Sequence, residues 1–494
     1  MGKDAESLYS SMTHIQQYIT KYGELGNAHM VEYFTKDHWN NLLPQDLRTD
    51  LMKLSVDQLY TLPLELSCSN VKNFEKDPKA TVSIGKTLLS FIQESKVCHL
   101  GAQDILTKIN DLKSALNYTR TGKMDKQLAN VKSKEYMCQK KAHEITEMSP
   151  VIDALCSHCN TSKVLDVGSG RGYLSTFLSL RYQLDVTAVD CTENNTISAS
   201  LRAEKFFKYW NKRLSGKKNI SQASVTEVTT IQTPSAALPS FKSAYVSCDT
   251  ELVDLQPSDS DITHGCVIVG LHTCGDLAST ITELFVKHSF IKGLCVVGCC
   301  YHHLTEKYDQ TEHERVGFPL SSYLKNQHVH LGRNIRMVGL KAPEKVAVSD
   351  IAQMSNSSER SLFYRAILTV ILQEEFEMDI SRKDICIGKV FSKSKSFVDY
   401  VQRSVKKLNL NCDKLSDERI MDYLHKFQPR FKEIIAFAMM RQFLAPAIEA
   451  LIVLDKLCYL LESAESVNIS QCYVSEIFNP IKSPRRYAIV AFKS

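Results

Sequence analysis

The run Val164–Leu165–Asp166–Val167–Gly168–Ser169–Gly170–Arg171–Gly172 limits the fold of this 494-residue chain more than any other stretch. An apolar strand leads into three glycines at alternate positions. YLSTFLSL then places Leu174, Phe177 and Leu178 on one helical face. Glycine tolerates positive φ and lets a ligand come close to the backbone. The helix behind the loop presents unpaired N–H groups and the positive end of its dipole. A dinucleotide fingerprint needs Gly-x-Gly-x-x-Gly, and Tyr173 stands where its third glycine belongs, which counts against a nicotinamide or flavin site.

Beyond this run, short apolar stretches ending in Asp, Gly or Cys recur from about residue 131: LDVTAVD (184–190), AYVSCD (244–249), CVIVGLHTCGD (266–276) and LCVVGCCY (294–301). Several precede helical patterns, the alternation expected of a parallel sheet wrapped by helices. QCYVSEIFNP (471–480) and RRYAIVAFKS (485–494) read as a closing antiparallel hairpin. Residues 1–130 read as helical, with Leu8, Met12, Ile15 and Ile19 in one stripe and a Ser55/Gln58 capping box before a short helix. Segment 104–117 also carries helical periodicity. The stretches 211–240, 254–262 and 348–359 read as surface loops. The expected organisation is α/β: a helical domain over 1–130, a core over 131–320, a largely helical insertion over 321–466 and the hairpin over 467–494.

Composition removes several classes. Hydrophobic residues make up 44%, enough for a sizeable core, so a disordered or fibrous chain is excluded. Sixty Lys and Arg against 55 Asp and Glu leave a charge of only +5, which supports no general basic coat but permits local patches. Sixteen cysteines are too sparse for a disulfide scaffold, so reduced thiols and a cytoplasmic or nuclear location are expected. No secretory leader is read at the N-terminus, and Glu6 occupies the position where myristoylation wants Ser or Thr. Residues 434–461 are apolar, but Arg441, Glu449 and Asp455 interrupt them, so a helix pair is expected rather than a membrane span.

The spacing Asp166-x-Gly168-x-Gly170-x-Gly172 resembles the first motif of class I S-adenosylmethionine-dependent methyltransferases. That resemblance implies a Rossmann-like seven-stranded sheet whose loop, through Asp166, Gly168, Ser169, Gly170, Arg171 and Gly172, wraps the amino-acid end of the cofactor. It further implies Asp190 at the ribose hydroxyls and Asp249 at the adenine amine. A closer similarity covers nearly the whole chain. KKAHE (140–144), VLDVGSGRGYLS (164–175), GLHTCGDL (270–277), GCCYHHLTE (298–306), FYRA (363–366) and SPRRYAIVAFK (483–493) resemble the methyltransferase-like protein 25 family, as do Asn27–His29, Tyr33–Phe34 and Trp39 near the start. The expected activity is methyl transfer to a macromolecular acceptor, RNA ahead of protein. The alternative is a non-catalytic binding module on the same fold.

Methyl transfer is largely alignment of the acceptor, with a base required only if the acceptor must lose a proton. In such a fold the end of the fourth strand lines the acceptor pocket, which makes His272 and Asp276 the candidate catalytic pair. Helix capping by Asp276 is the alternative. Tyr301 and His302 follow the fifth strand and belong to the same pocket. Lys140, Lys141, His143 and Glu144 precede the first strand, where a helix commonly covers the cofactor, so Lys141 and Glu144 are candidate cofactor contacts. Cys299, Cys300, His302 and His303 offer zinc-binding atoms. Metal is not the favoured reading, because ribbon spacing is missing and adjacent residues on a regular strand rarely reach one ion. Basic residues in 202–218 and 382–407 suit phosphate contacts, with Phe206, Phe207, Tyr209 and Trp210 interleaved in the first.

Overall fold

The apolar runs assemble into one sheet in the computed structural model, which describes residues 2–63, 85–118, 137–215, 238–252, 265–309, 313–342, 351–379 and 387–494. Its strands are β1 (Leu106–Thr107), β2 (Lys163–Val167), β3 (Asp185–Asp190), β4 (Ser240–Ser243), β5 (Cys266–Cys274), β6 (Ile291–Cys299), β7 (Ile469–Glu476) and β8 (Tyr487–Lys493). They lie in the order β1-β7-β8-β6-β5-β2-β3-β4. Only β8 runs antiparallel to its neighbours, so the expected hairpin forms and inserts beside β6. Val164, Val267, Val269, Cys295, Val297 and Val490 pack beneath the helices Gln139–His158 and Tyr173–Tyr182. Strands covered by helices carry continuous apolar runs, which explains why they stood out in the sequence.

Seven of these strands match the class I expectation, and the eighth is β1. Two residues of the segment read as helical pair in parallel with β7 before the helix Ile109–Ala115 begins. The third predicted strand is displaced. β4 is SFKS rather than AYVSCD, because its partner β3 ends at Asp190, which is in register with Ser243. Ala244 donates one last bond to the Asp190 carbonyl, and beyond it the chain has no strand to pair with. The stretch 348–359 is helical from Ile351, the start of a helix that runs to Phe376. Of the other two loop readings, 211–215 instead close the helix Glu193–Ser215 and Ser240 opens β4, while 216–237 and all of 254–262 lie outside the described residues.

The chain divides into two compact units. One holds residues 1–13, 103–330 and 450–494, including the whole sheet; the other joins 14–102 to 331–449, segments distant in sequence. In the helical unit Tyr33, Phe34, Phe363 and Phe427 form an aromatic core with Phe437. The Arg441 guanidinium there donates to the Leu25 and Gly26 carbonyls. The Ser55 capping box forms as read. The apolar segment 434–461 is split between the helices Phe431–Gln442 and Ala445–Ser463. Pro446 sits in the first turn of the second, where a missing N–H costs nothing. Among the described residues no helix is long and apolar enough to cross a membrane.

In the sheet-bearing unit, Asp455 is fully buried and accepts bonds from the Leu320 and Ser321 amides and the Ser321 hydroxyl. This anchors the segment that follows β6 against the helix Ala445–Ser463. Asp276 does related work nearer the sheet, as described below.

Candidate functional site

The glycine loop leaves β2 at the C-terminal edge of the parallel strands, where ligands bind in open α/β sheets. Gly168, Gly170 and Gly172 have φ of 76°, 54° and 66°, a region that glycine enters without the penalty of a side chain. The Gly168 and Ser169 amides both donate to the Val189 carbonyl, and the Gly170 amide donates to the Asp190 carboxylate at 2.9 Å. The other Asp190 oxygen accepts from the Thr192 amide and the Asn195 side chain. Asp190 thus ties the loop to the end of β3 and starts the helix Glu193–Ser215.

The three glycines face different surroundings. A Cβ on Gly172 would lie 2.6 Å from Phe241 and 2.9 Å from Ala199, and one on Gly168 would lie 2.8 Å from Leu277. On Gly170 it would meet nothing closer than the Gly168 carbonyl at 4.0 Å. Ser169 Oγ is buried with no hydrogen-bond partner among the described residues. An open cradle beside an unsatisfied hydroxyl fits a ligand with polar atoms, as S-adenosylmethionine has at its amino-acid end.

Asp166 lies beneath the loop, 1% exposed, and accepts a 2.5 Å bond from Ser175 on the following helix. Burial pushes its carboxyl up to about 6, against the Ser175 bond and with the Asp190 charge adding to the rise. It therefore supports the loop from within. Arg171 is exposed, and its carbonyl accepts from Arg202, whose guanidinium lies over Tyr173. Asp249 sits in the turn after β4 with its side chain 78% exposed, 3.8 Å from Arg315.

Across the strand ends from the loop is a buried acid–imidazole pair. Glu144, fully buried on the helix Gln139–His158, has its Oε1 2.8 Å from His272 Nε2 and 2.7 Å from Ser483 Oγ. Lys141 Nζ is 3.2 Å from its other oxygen, and Lys140 Nζ is 3.5 Å from Oε1. Burial raises the Glu144 carboxyl, but the hydrogen bond from His272, helped by Lys141 and Ser483, holds it down at about 2. An ionised carboxylate only accepts, so His272 donates through Nε2–H. His272 occupies a bulge between β5 and β6 with φ of 61°, and among the described residues its Nδ1 has no hydrogen-bond partner. Its side chain is 19% exposed. Ser483, in the link between β7 and β8, was not singled out as a site residue. Only its place in the Ser-Pro-Arg-Arg-Tyr run drew attention to it.

Asp276 is committed elsewhere. Its Oδ1 accepts from the Thr305 amide at 2.7 Å, and it makes no side-chain cap on the helix Leu277–Lys287. It pins the segment after β6, a loop-tying role. Tyr301 is buried under the Arg485 guanidinium, 5.3 Å from its ring centroid. His302 lies against His303, ring centroids 3.9 Å apart. Cys274 is brought to Cys299 and Cys300, with sulfurs 3.3 and 3.4 Å away. The Cys299 contact pulls the Cys274 thiol down to about 6 and pushes the Cys299 thiol up. Neither His302 nor His303 joins that group of sulfurs among the described residues.

Two outcomes test this geometry. Gly170→Ala places its methyl in open space and should cost only the left-handed backbone, about 1–2 kcal/mol. It should nevertheless abolish the thermal stabilisation given by S-adenosylhomocysteine. Gly172→Ala collides with Phe241 and should lower the melting temperature of the ligand-free protein further. Equal loss of stability in both variants would contradict the reading. Asp166 gives a pH test. Its folded carboxyl holds a proton that the unfolded chain releases near 3.8, so its contribution is full below that value and lost as pH rises through about 6. Asp166→Asn, compared with wild type by urea unfolding, should therefore gain in relative stability between acid and neutral pH. A constant difference would refute it.

Apart from Ser483, the Glu144–His272 pair, the glycine loop and the cysteines fall within a recognised domain. A family described as "Methyltransferase domain" matches residues 140–307, from Lys140 beside Glu144 through the segment after the cysteines. The human protein "Probable methyltransferase-like protein 25" is 30% identical over 602 aligned residues, covering 99% of this chain and 98% of that protein. The mouse protein of the same description is 30% identical over 595, covering 99% and 97%. Similarity of this extent spans both compact units as well as the loop, and the chain belongs to the methyltransferase-like protein 25 family.

Proposed function

We propose that this methyltransferase acts on a hydroxyl group of RNA, with His272 as the group that takes the hydroxyl proton. The observation that carries the reading is the bond between buried Glu144 and His272 Nε2. A carboxylate on one ring nitrogen fixes the tautomer that leaves the other as a proton acceptor. An acceptor that keeps its proton needs no such group, whereas a hydroxyl does.

The residues that would hold the cofactor are Gly168, Ser169 and Gly170 through the loop, with Asp190 and Asp249 toward the nucleoside. S-adenosylmethionine, when bound, supplies a methyl group activated by its sulfonium. Around that position the chain's own residues orient and exclude: Leu277 backs Gly168, and Ser175 steadies Asp166 beneath the loop.

Support for RNA comes from the surface of the same unit. Tyr245 is 71% exposed at the end of β4, with the Arg315 guanidinium 5.7 Å from its ring centroid. Arg171 and Lys140 are exposed, as are Lys205 and Lys208 on the helix Glu193–Ser215. Exposed aromatics paired with arginine stack on bases, and scattered lysines track phosphates. The aromatics of the basic stretch 202–218 serve packing instead: Phe206 and Trp210 are buried with Leu180, and Phe207 and Tyr209 pack against them.

The test is transfer of a labelled methyl group into fractionated cellular RNA and protein by wild type, His272→Ala and Gly170→Ala. Label should enter RNA. His272→Ala should cut it roughly tenfold or more, ~1.4 kcal/mol of transition-state stabilisation, while still being stabilised by S-adenosylhomocysteine. Label confined to protein would overturn the RNA acceptor, and undiminished transfer by His272→Ala would overturn the role of His272.

A further inference from the structure

Three cysteines from two neighbouring strand ends converge more closely than packing requires. Cys274 ends β5 and is in register with Cys299, which ends β6, and Cys300 follows directly. Their sulfurs form a triangle with sides of 3.3, 3.4 and 3.6 Å. Tetrahedral zinc with Zn–S bonds of 2.3 Å sets its sulfur atoms about 3.8 Å apart. Small outward shifts of a few tenths of an ångström would therefore seat the ion.

The objection that adjacent residues on a strand point to opposite faces does not apply. Cys300 has φ of 48°, so the backbone turns at that residue and its sulfur comes to the same side as that of Cys299. The β5 bulge with His272 at φ of 61° stands two residues before Cys274. Left-handed backbone is strained at a residue that carries a side chain. One such residue belongs to the thiol cluster and the other stands two positions before it, and strain of this kind marks functional positions.

We propose that Cys274, Cys299 and Cys300 form a zinc site with its fourth position open to solvent. Cys299 is buried and Cys300 half-buried, while Cys274 is exposed and gives the ion its route of entry. Three protein ligands and one open position are the arrangement of reactive rather than purely structural zinc. Zinc with three thiolates carries a net negative charge, and buried Arg485, whose guanidinium lies over neighbouring Tyr301, is placed to offset it. Gly275 fits the same purpose: a Cβ there would lie 2.9 Å from the His303 carbonyl, so glycine lets the turn after β6 come close beside Cys274. The ion would fix the end of β5 two residues beyond His272. The proposal does not depend on the acceptor being RNA.

The test measures metal directly. Full-length protein purified under reducing conditions from zinc-supplemented culture should carry about one zinc per chain by mass spectrometry. Cys274→Ser, at the exposed corner, should lose it while keeping its stabilisation by S-adenosylhomocysteine. Exchange of wild type into cobalt should give thiolate-to-metal charge-transfer absorption, a readout that needs no variant. Metal-free wild type that takes up neither zinc nor cobalt after reduction would overturn the site. So would zinc retained when all three cysteines are replaced by serine.

Discussion

The carboxylate of Glu144 joins parts of the chain that lie far apart in the sequence. It sits on a helix that precedes the sheet, bonds His272 at the end of β5, and accepts from Ser483 in the link to the last strand. A buried carboxylate without partners costs several kcal/mol. Its hydrogen bonds tie the helix to the end of β5 and to the closing hairpin, beside the apolar packing that the three already share. The bulge at His272 follows from the same demand, because in regular strand geometry the residue would not present its ring to the helix side. Folding stability and the chemistry of the site thus share one interaction.

The glycine loop depends on a second carboxylate used in the opposite sense. Asp190 lies at the C-terminal end of β3 and distributes its bonds between the loop and the helix that follows, whereas Asp166 is buried more deeply and bonded to Ser175. The outer acid keeps the loop open toward a ligand, and the inner one holds it on the sheet. The three positive-φ glycines are then distinguishable by what surrounds them. Gly168 and Gly172 are glycine because the protein packs against them, whereas Gly170, with φ of 54°, faces open space.

What the sequence disclosed follows from how local each signal is. The loop was legible because alternate glycines encode positive φ directly, and the strands because double-sided burial writes itself as apolar runs. β4 was misplaced by a few residues because strand limits depend on the partner, and AYV is apolar whether or not β3 reaches that far. Ser483 stayed hidden since its partner lies 339 positions away and only the fold unites them. Asp276 looked like chemistry because it follows a strand end, but a backbone amide of the next segment claims it. The convergence of Cys300 was masked by an assumption of regular strand geometry, which a left-handed non-glycine residue breaks without any sequence mark.

The central claim is that Glu144 holds His272 in the tautomer that presents Nδ1 to the acceptor. Nitrogen-detected spectra of imidazole-labelled protein at neutral to mildly alkaline pH, assigned by the signal lost in His272→Ala, report this directly. The account predicts a protonated Nε2 with a strongly hydrogen-bonded proton and an unprotonated Nδ1, a pattern that collapses into tautomeric exchange in Glu144→Gln. A neutral ring protonated at Nδ1 in the wild type, or a spectrum unchanged by Glu144→Gln, would contradict it.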